Sequence, residues 1–307
     1  MTRYLLSRLL QAFMNILFVA TVIFFLVRLS GSPEDILVSD RAGPGAAEYI
    51  RQHLGLDKPL YQQYGIYLKN LASGDLGVSI RDQRPVTTII LERLPATASL
   101  AVVSMCFAII LALPLGVLSA VHRDSNLDRL GKLIALLGQS APQFWIGLMM
   151  MLVFAVVFRI LPVAGRGGPL TYVLPGLTLG WFVAAGIMRL TRSSMLDVLD
   201  SEFVTLARVK GVPEWVIIWK HALRNALIPV VTYLGLTLAS FMNGSVVVET
   251  VFAWPGLGRL ALEAVMARDY PVIQGVVISV CFLFIVINLL VDLIYMLINP
   301  QIRYAKT

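Results

Sequence analysis

The chain has 307 residues, 58% of them hydrophobic and 14% charged, with a mean hydropathy of +0.79. Soluble domains lie near about 45–50% apolar and about 25% charged residues, so this composition argues against a water-soluble enzyme and excludes a disordered chain. The formal net charge of +7 fits a nucleic-acid partner, an anionic membrane face or the bias that orients membrane helices, and its distribution decides among them.

Six stretches are long and apolar enough to cross a bilayer, for which about 20 residues suffice: 9–27, 96–121, 133–158, 172–188, 226–248 and 272–298. The first follows Arg3 and Arg8, as in a signal peptide. Its apolar run exceeds the roughly 7–15 residues of such a peptide and no small-x-small cleavage site follows, so it reads as a retained anchor. The runs 94–121, 133–158, 167–188 and 225–248 carry no charge, and the last span holds only Asp292. With the N-terminus in the cytosol, the cytosolic segments hold 13 Lys or Arg against 6 Asp or Glu, a net +7, and the rest of the chain sums to zero. Both ends are therefore expected in the cytosol, and the basic balance is an orientation signal that no longer argues for nucleic acid. The expected fold is an all-α membrane protein: an N-terminal membrane helix (1–28), an extracytoplasmic subdomain (29–95), a core of five membrane helices (96–298) and a short cytosolic tail (299–307).

The 29–95 segment has breakers at Gly31-Ser32-Pro33, Gly43-Pro44-Gly45 and Gly74-Asp75. Helical apolar spacing appears at 46–54 and 59–71, the latter through Tyr64, Tyr67, Leu68 and Leu71, so short helices are expected there rather than a spacer.

The spans carry few chemical features. Pro114, Pro142, Pro175 and Pro229 are expected to interrupt the second to fifth, freeing carbonyls that neighbouring helices or a water-lined path must satisfy. Gln139, Ser140 and Gln143 flank Pro142 and are candidates to line a substrate path, interhelical hydrogen bonding being the alternative. Gly176 and Gly180 form a GxxxG pair suited to close helix packing. Glu249, just before Phe252-Ala-Trp-Pro, is a candidate for an outer gate or ion pair, and Asp292 for a buried hydrogen bond. Cys106 and Cys281 read as small buried hydrophobes, and the three histidines lack metal-ligand spacing.

The cytosolic segment 189–225 reads as two short helices with a sharp joint. Asp200 and Ser201 can cap the first, Glu202 lies in its first turn, Arg208 and Lys210 in its last, and Gly211 suits the position after the cap. Phe203, Leu206 and Ala207 share a face. After Pro213, Trp215, Ile218, Trp219 and Ala222 recur at helical spacing. Pattern alone leaves two readings open, an amphipathic element on anionic lipid or a docking knuckle for a cytosolic partner.

The run Glu202-Phe-Val-Thr-Leu-Ala-Arg-Val-Lys-Gly-Val-Pro and the following Lys220-His-Ala-Leu-Arg-Asn-Ala-Leu-Ile-Pro resemble the cytosolic signature of binding-protein-dependent ABC importer permeases. They are similar to the branch importing dipeptides, oligopeptides, glutathione and nickel complexes. Leu54-Gly-Leu-Asp-Lys-Pro, Gly74-Asp-Leu-Gly-Val-Ser, Gly244 to Gly258, Arg268-Asp-Tyr-Pro and Ile298-Asn-Pro-Gln-Ile-Arg-Tyr extend the resemblance along nearly the whole chain, in the family's order. It implies a type I importer permease fold in the bacterial cytoplasmic (inner) membrane. The implied partners are a homologous second permease, two ATPase subunits, an extracytoplasmic solute-binding protein and the lipid bilayer. The region 197–225 then corresponds to the coupling segment, with Phe203, Ala207, Arg208, Lys210 and Gly211 meeting the ATPase. Thr205-Leu206 stands where Glu-Ala often precedes the matching Ala207.

The chain is expected to carry no cofactor and no catalysis of its own. Gly131-Lys132 is followed by Leu133, so no phosphate loop GxxxxGK[ST] occurs, and ATP with Mg would be bound by the partner ATPases. An ion-coupled secondary transporter would place ionisable residues near the midplane, and an intramembrane protease would need a catalytic set inside the spans; neither pattern is present. Di- or oligopeptides are the expected cargo, with glutathione, a nickel chelate or another small solute as alternatives.

Overall fold

The structure, a computed structural model, describes residues 2–29, 58–242 and 246–298, the side chains at 2–5, 137 and 292–298 excepted. The expected helix at 46–54, the side chain of Asp292 and the tail 299–307 lie outside the described residues. The described residues form helices joined by turns and loops, and the β-structure among them is an isolated antiparallel bridge between Val78 and Pro85. In chain order the helices are α1 (Thr2–Leu29), α2 (Leu60–Ala72), α3 (Val86–Val121), α4 (Asn126–Ser140) and α5 (Gln143–Met150), which runs into a π-helical turn Met151–Val157. After a 3₁₀ turn (Pro169–Tyr172) come α6 (Val173–Leu199), α7 (Glu202–Val209) and α8 (Glu214–Val216). A π-helical stretch Ile217–Ala222 joins α8 to α9 (Leu223–Met242), and α10 (Val246–Val251), α11 (Leu257–Met266) and α12 (Tyr270–Ile298) follow. Five helices are long and apolar enough to cross a membrane, and the bent pair α4 and α5 makes a sixth when counted as one span.

Three sequence expectations need correction. Helix α3 starts at Val86, ten residues before the expected span at 96, and its 36 residues give a rod of about 54 Å against a hydrocarbon layer of about 30 Å. Of the four prolines only Pro142 breaks a span, with a bend of 107° between α4 and α5. Pro114 and Pro229 sit inside continuous helices, and Pro175 lies in the first turn of α6, where its missing N–H costs little. Cys106 is exposed on the helix surface, as a small apolar residue facing lipid can be, and Cys281 is half-buried.

Two compact units divide the chain. The first comprises Met1–Ala96 and Pro255–Ile285. Its core brings Val86, Ile89 and Ile90 of α3 onto Leu257, Leu260 and Ala264 of α11 and Val272 and Val276 of α12. Helix α2 packs on the end of α1 through Phe24, Phe25, Tyr64 and Tyr67, whose rings lie 5.1–6.1 Å apart. Thr21 shares a 2.6 Å hydrogen bond with the Tyr64 hydroxyl, and Arg28 donates to Gln63 while its guanidinium stacks 3.4 Å from the Phe24 ring centre. Burial and the neighbouring Tyr64 push the Tyr67 hydroxyl up to about 12, against the opposing pull of Arg28. Asp269, only 4% exposed, accepts from the Ser79 hydroxyl (2.5 Å) and the N–H groups of Ile80 and Arg81, so one carboxylate holds the loop before α3.

The second unit comprises Thr97–Trp254 and Val286–Thr307. The expected role of Gly176 and Gly180 holds. A Cβ on Gly180 would lie 2.6 Å from the Ser104 carbonyl oxygen of α3, and one on Gly176 would lie 3.0 Å from the Phe107 ring. Gly116 of α3 repeats the fit, 2.8 Å from the Met188 carbonyl of α6. One turn beyond Gly116, where Ser119 and Arg192 come together, Asp128 is fully buried. Arg192 grips it with two bonds (2.7 and 2.9 Å), Lys132 lies at 2.8 Å, the Ser119 hydroxyl donates to it, and the Asp124 N–H does so at 3.1 Å. This ties α3, α4 and α6 together around one carboxylate.

Four helix ends share a hydrogen-bond pattern in which a left-handed residue lets two N–H groups turn back to the last turn. Gly74 (φ 78°) ends α2 and Gly211 (φ 74°) ends α7, whereas Ala253 (φ 48°) and Arg268 (φ 49°) end α10 and α11 without glycine's freedom.

Two substitutions test this packing. Gly180→Ala should destabilise the chain by about 1–3 kcal/mol in detergent thermal unfolding, whereas Gly65→Ala, with nothing within 4 Å, should not. Asp128→Ala should cost about 3–5 kcal/mol by stranding Arg192, and Arg192→Met in the same chain should recover part of the loss.

Candidate coupling site

The cytosolic knuckle begins where α6 stops at Leu199. Ser201 has the extended backbone of an N-cap (φ −78°, ψ 152°), but its hydroxyl donates back to the Val198 carbonyl at 2.5 Å rather than accepting from α7. Helix α7 is anchored by Val204, which is fully buried. Phe203 (45% exposed), Leu206 (54%) and Val209 (79%) remain open to the surroundings, and Ala207 is half-buried. The helix closes as expected at Gly211, whose N–H reaches the Arg208 carbonyl at 3.0 Å while the Val212 N–H reaches Ala207 at 3.1 Å. No atom lies within 4 Å of a Cβ built on Gly211, so its backbone angle and not its surroundings demands glycine.

Arg208 forks onto Glu214 of the same chain, with Nη2 to Oε1 at 2.8 Å and Nε to Oε2 at 3.3 Å. This bridges the Gly211-Val212-Pro213 joint, and the hydrogen bond to Glu214 holds the guanidinium above its already high ordinary pKa. Both partners are about half exposed, so the pair contributes roughly 0.2–1 kcal/mol and mainly fixes the angle of the joint. Lys210, the residue capping α7, is exposed beside it.

The expected second short helix is not separate. It starts at Glu214 and continues through the π-helical stretch into α9. The apolar phase differs from the expected one: Ile217 and Ala222 are fully buried, five residues apart as the π geometry dictates, and Ala226 and Val230 follow at intervals of four. Trp215 (69% exposed) and Trp219 (44%) consequently face outward. The exposed surface of this segment is therefore apolar, through Phe203, Leu206, Val209, Trp215 and Trp219, with Lys210 and Lys220 exposed as well.

The candidate path residues divide. Gln139 and Gln143 are half-buried on either side of the Pro142 bend, and Ser140 is exposed with its hydroxyl donated to the Leu136 carbonyl at 2.8 Å. Glu249 is only 1% exposed, in α10, and Thr97 of α3 donates to it at 2.9 Å. Its carbonyl accepts the Trp254 N–H at 2.7 Å, and Trp254 packs edge-on against Tyr172 with ring centres 4.6 Å apart. The structure does not bring these residues together with the knuckle.

Comparison with known proteins matches this architecture. The family described as "Binding-protein-dependent transport system inner membrane component" covers residues 112–304, and its N-terminal counterpart covers 1–101. A glutathione transport system permease protein GsiC from Pectobacterium atrosepticum is 46% identical over 99% of this chain and all of that protein. The protein of the same name from Escherichia coli K12 is 43% identical over the same shares. Among solved structures, an inward-facing MetNI methionine ABC transporter superposes with a TM-score of 0.60 at 22% identity, over 69% of this chain and 97% of that one. Spans, positive-inside charge, knuckle and full-length similarity lead to one conclusion: the chain belongs to the binding-protein-dependent inner membrane components and is the multi-pass permease subunit of an ABC importer.

Proposed function

We propose that this permease imports glutathione or a closely related short peptide, driven by ATP that separate ATPase subunits bind with Mg and hydrolyse. Similarity over the full length to proteins named as glutathione permeases carries the substrate reading. A second, homologous permease would complete the path, and an extracytoplasmic binding protein would deliver the cargo. Dipeptides are the second reading, since the extracytoplasmic motifs of this chain resemble the whole peptide branch.

The knuckle would be the mechanical contact with the ATPase. Phe203, Leu206 and Val209 expose apolar surface that a soluble cleft can cover, Ala207 lets the helix approach closely, and Lys210 offers a cation at the rim. The Arg208–Glu214 fork and the Gly211 turn hold α7 at a fixed angle to the helix that becomes α9, so a shift of α7 would be passed to the span. Gln139, Gln143 and Ser140 are positioned at a broken span, where freed backbone groups and carboxamides suit a polar cargo. Glu249, sealed against Thr97, would support the outer end of the path as a fixed structural post.

Two measurements test this. Proteoliposomes containing the assembled transporter and its binding protein should accumulate labelled glutathione only with internal ATP, and uptake of a dipeptide with no uptake of glutathione would replace the first reading with the second. Gly211→Leu, which forces a side chain into the left-handed turn, should lower uptake roughly tenfold and abolish stimulation of ATP hydrolysis by loaded binding protein, with normal insertion. Gly211→Asn, which tolerates that backbone, should keep most of both activities.

A further inference from the structure

In the first unit a polar pocket of about 240 Å³ lies beside an apolar groove of about 680 Å³, and Leu71, Leu76 and Ile278 line both. The groove wall is hydrocarbon, with Phe13 and Leu17 of α1, Leu91 of α3 and Phe282 of α12 among its lining. Phe13, Leu91 and Phe282 are more than half exposed. α1, α3 and α12 are among the spanning helices, so the groove opens toward the bilayer. The polar pocket sits at the end of α1 that faces away from the cytosol, and its lining includes Arg28, Gln63, Tyr67, Asn70, Asp75 and Gln274.

Charge and hydrogen-bond supply in that pocket select its occupant. Arg28 has five N–H donors, of which Gln63 takes one from Nε and one from Nη2, and the Phe24 carbonyl takes one from Nη1. Two remain. The Tyr67 hydroxyl is buried and has no hydrogen-bond partner among the described residues. Asp75 spends one carboxylate oxygen on the Gly77 N–H at 2.8 Å. A cation and a phenol with donors to spare, a carboxylate in the same small pocket and an acyl-sized groove running on from it fit one kind of molecule.

We infer that this is a phospholipid site, with the acyl chain in the groove, the phosphate on Arg28 and Tyr67, and the ammonium of an ethanolamine headgroup on Asp75. A bulk lipid would satisfy the groove alone, whereas an ordered headgroup also satisfies the buried hydroxyl and the two guanidinium donors left among the described residues. A bound lipid would also extend the contact between α1 and α2 beyond the aromatic rings, the Thr21–Tyr64 hydrogen bond and the Arg28–Gln63 pair.

The test uses the assembled transporter in nanodiscs containing trace phosphatidylethanolamine with a photoreactive group in its acyl chain. Irradiation should label the peptides around 13–17 and 91–94, and unlabelled phosphatidylethanolamine should compete better than phosphatidylglycerol. Arg28→Gln, and Tyr67→Phe, which removes a single oxygen, should each lower labelling at these peptides roughly tenfold, leaving labelling around Leu236, an exposed site on α9, unchanged. Asp75→Asn should erase the preference over phosphatidylglycerol. Equal labelling at the groove and at Leu236 in every variant would reduce the site to ordinary boundary lipid and overturn the inference. So would suppression by millimolar inorganic phosphate, or protection of the groove by a helix of the second permease. None of these outcomes depends on which solute is transported.

Discussion

Inside a bilayer, and in the water-excluded interior of the protein, no water is available to accept or donate a hydrogen bond, so each backbone N–H and carbonyl, and each buried charge, must find its partner within the protein. That constraint accounts for the helical architecture and also for its interruptions. Where α10 and α11 end, left-handed residues fold the last N–H groups back onto carbonyls of the same helix, even though Ala253 and Arg268 pay a steric cost that glycine would not. Where Asp128 is buried, two cations, a hydroxyl and a backbone N–H surround it. Where Asp269 is buried, a loop lends it two backbone donors and a hydroxyl. Each carboxylate thereby becomes a joint between segments far apart in sequence.

The contrast between the two ends of the α3–α6 contact shows how such joints divide the labour. At Gly180 the helices meet backbone to backbone, and attraction comes from dispersion over a close interface. At Asp128 it comes from charge in a poor dielectric, where loss of one partner is costly. The apolar contact tolerates sliding and the ionic one does not, so the helix pair is pinned near 128 and 192.

Much of this was legible in the sequence, for identifiable reasons. Spans, orientation, the Gly176 and Gly180 contact, the helix at 60–72 and the turn at Gly211 all follow from local composition or from residues whose backbone preferences are strong. The partners of buried charges were not legible. Asp128 and Arg192 looked like members of a cytosolic charge tally, and Asp269 like part of a motif, because pairing across 64 and 190 residues leaves no local trace. Ala253 and Arg268 escaped notice because their turns lack glycine. The fate of Arg208 was likewise hidden, since exposure made a partner protein as plausible as Glu214. The buried face of 215–222 is rotated from the one a period of 3.6 predicts because this stretch is wound to the wider π geometry.

That wider winding has a further consequence. A π-helical turn holds one residue more than the α-helical turn it replaces, and each residue of an α-helix advances the chain by about 100° around the axis. The stretch Ile217–Ala222 therefore acts as an angular spacer between span and knuckle, setting, together with the Arg208–Glu214 fork, the bearing of α7 around α9. Removing one residue there would restore regular winding while turning Phe203, Leu206 and Val209 to a different side of the molecule. Chain length within a single turn thus decides which way the exposed side chains of α7 point.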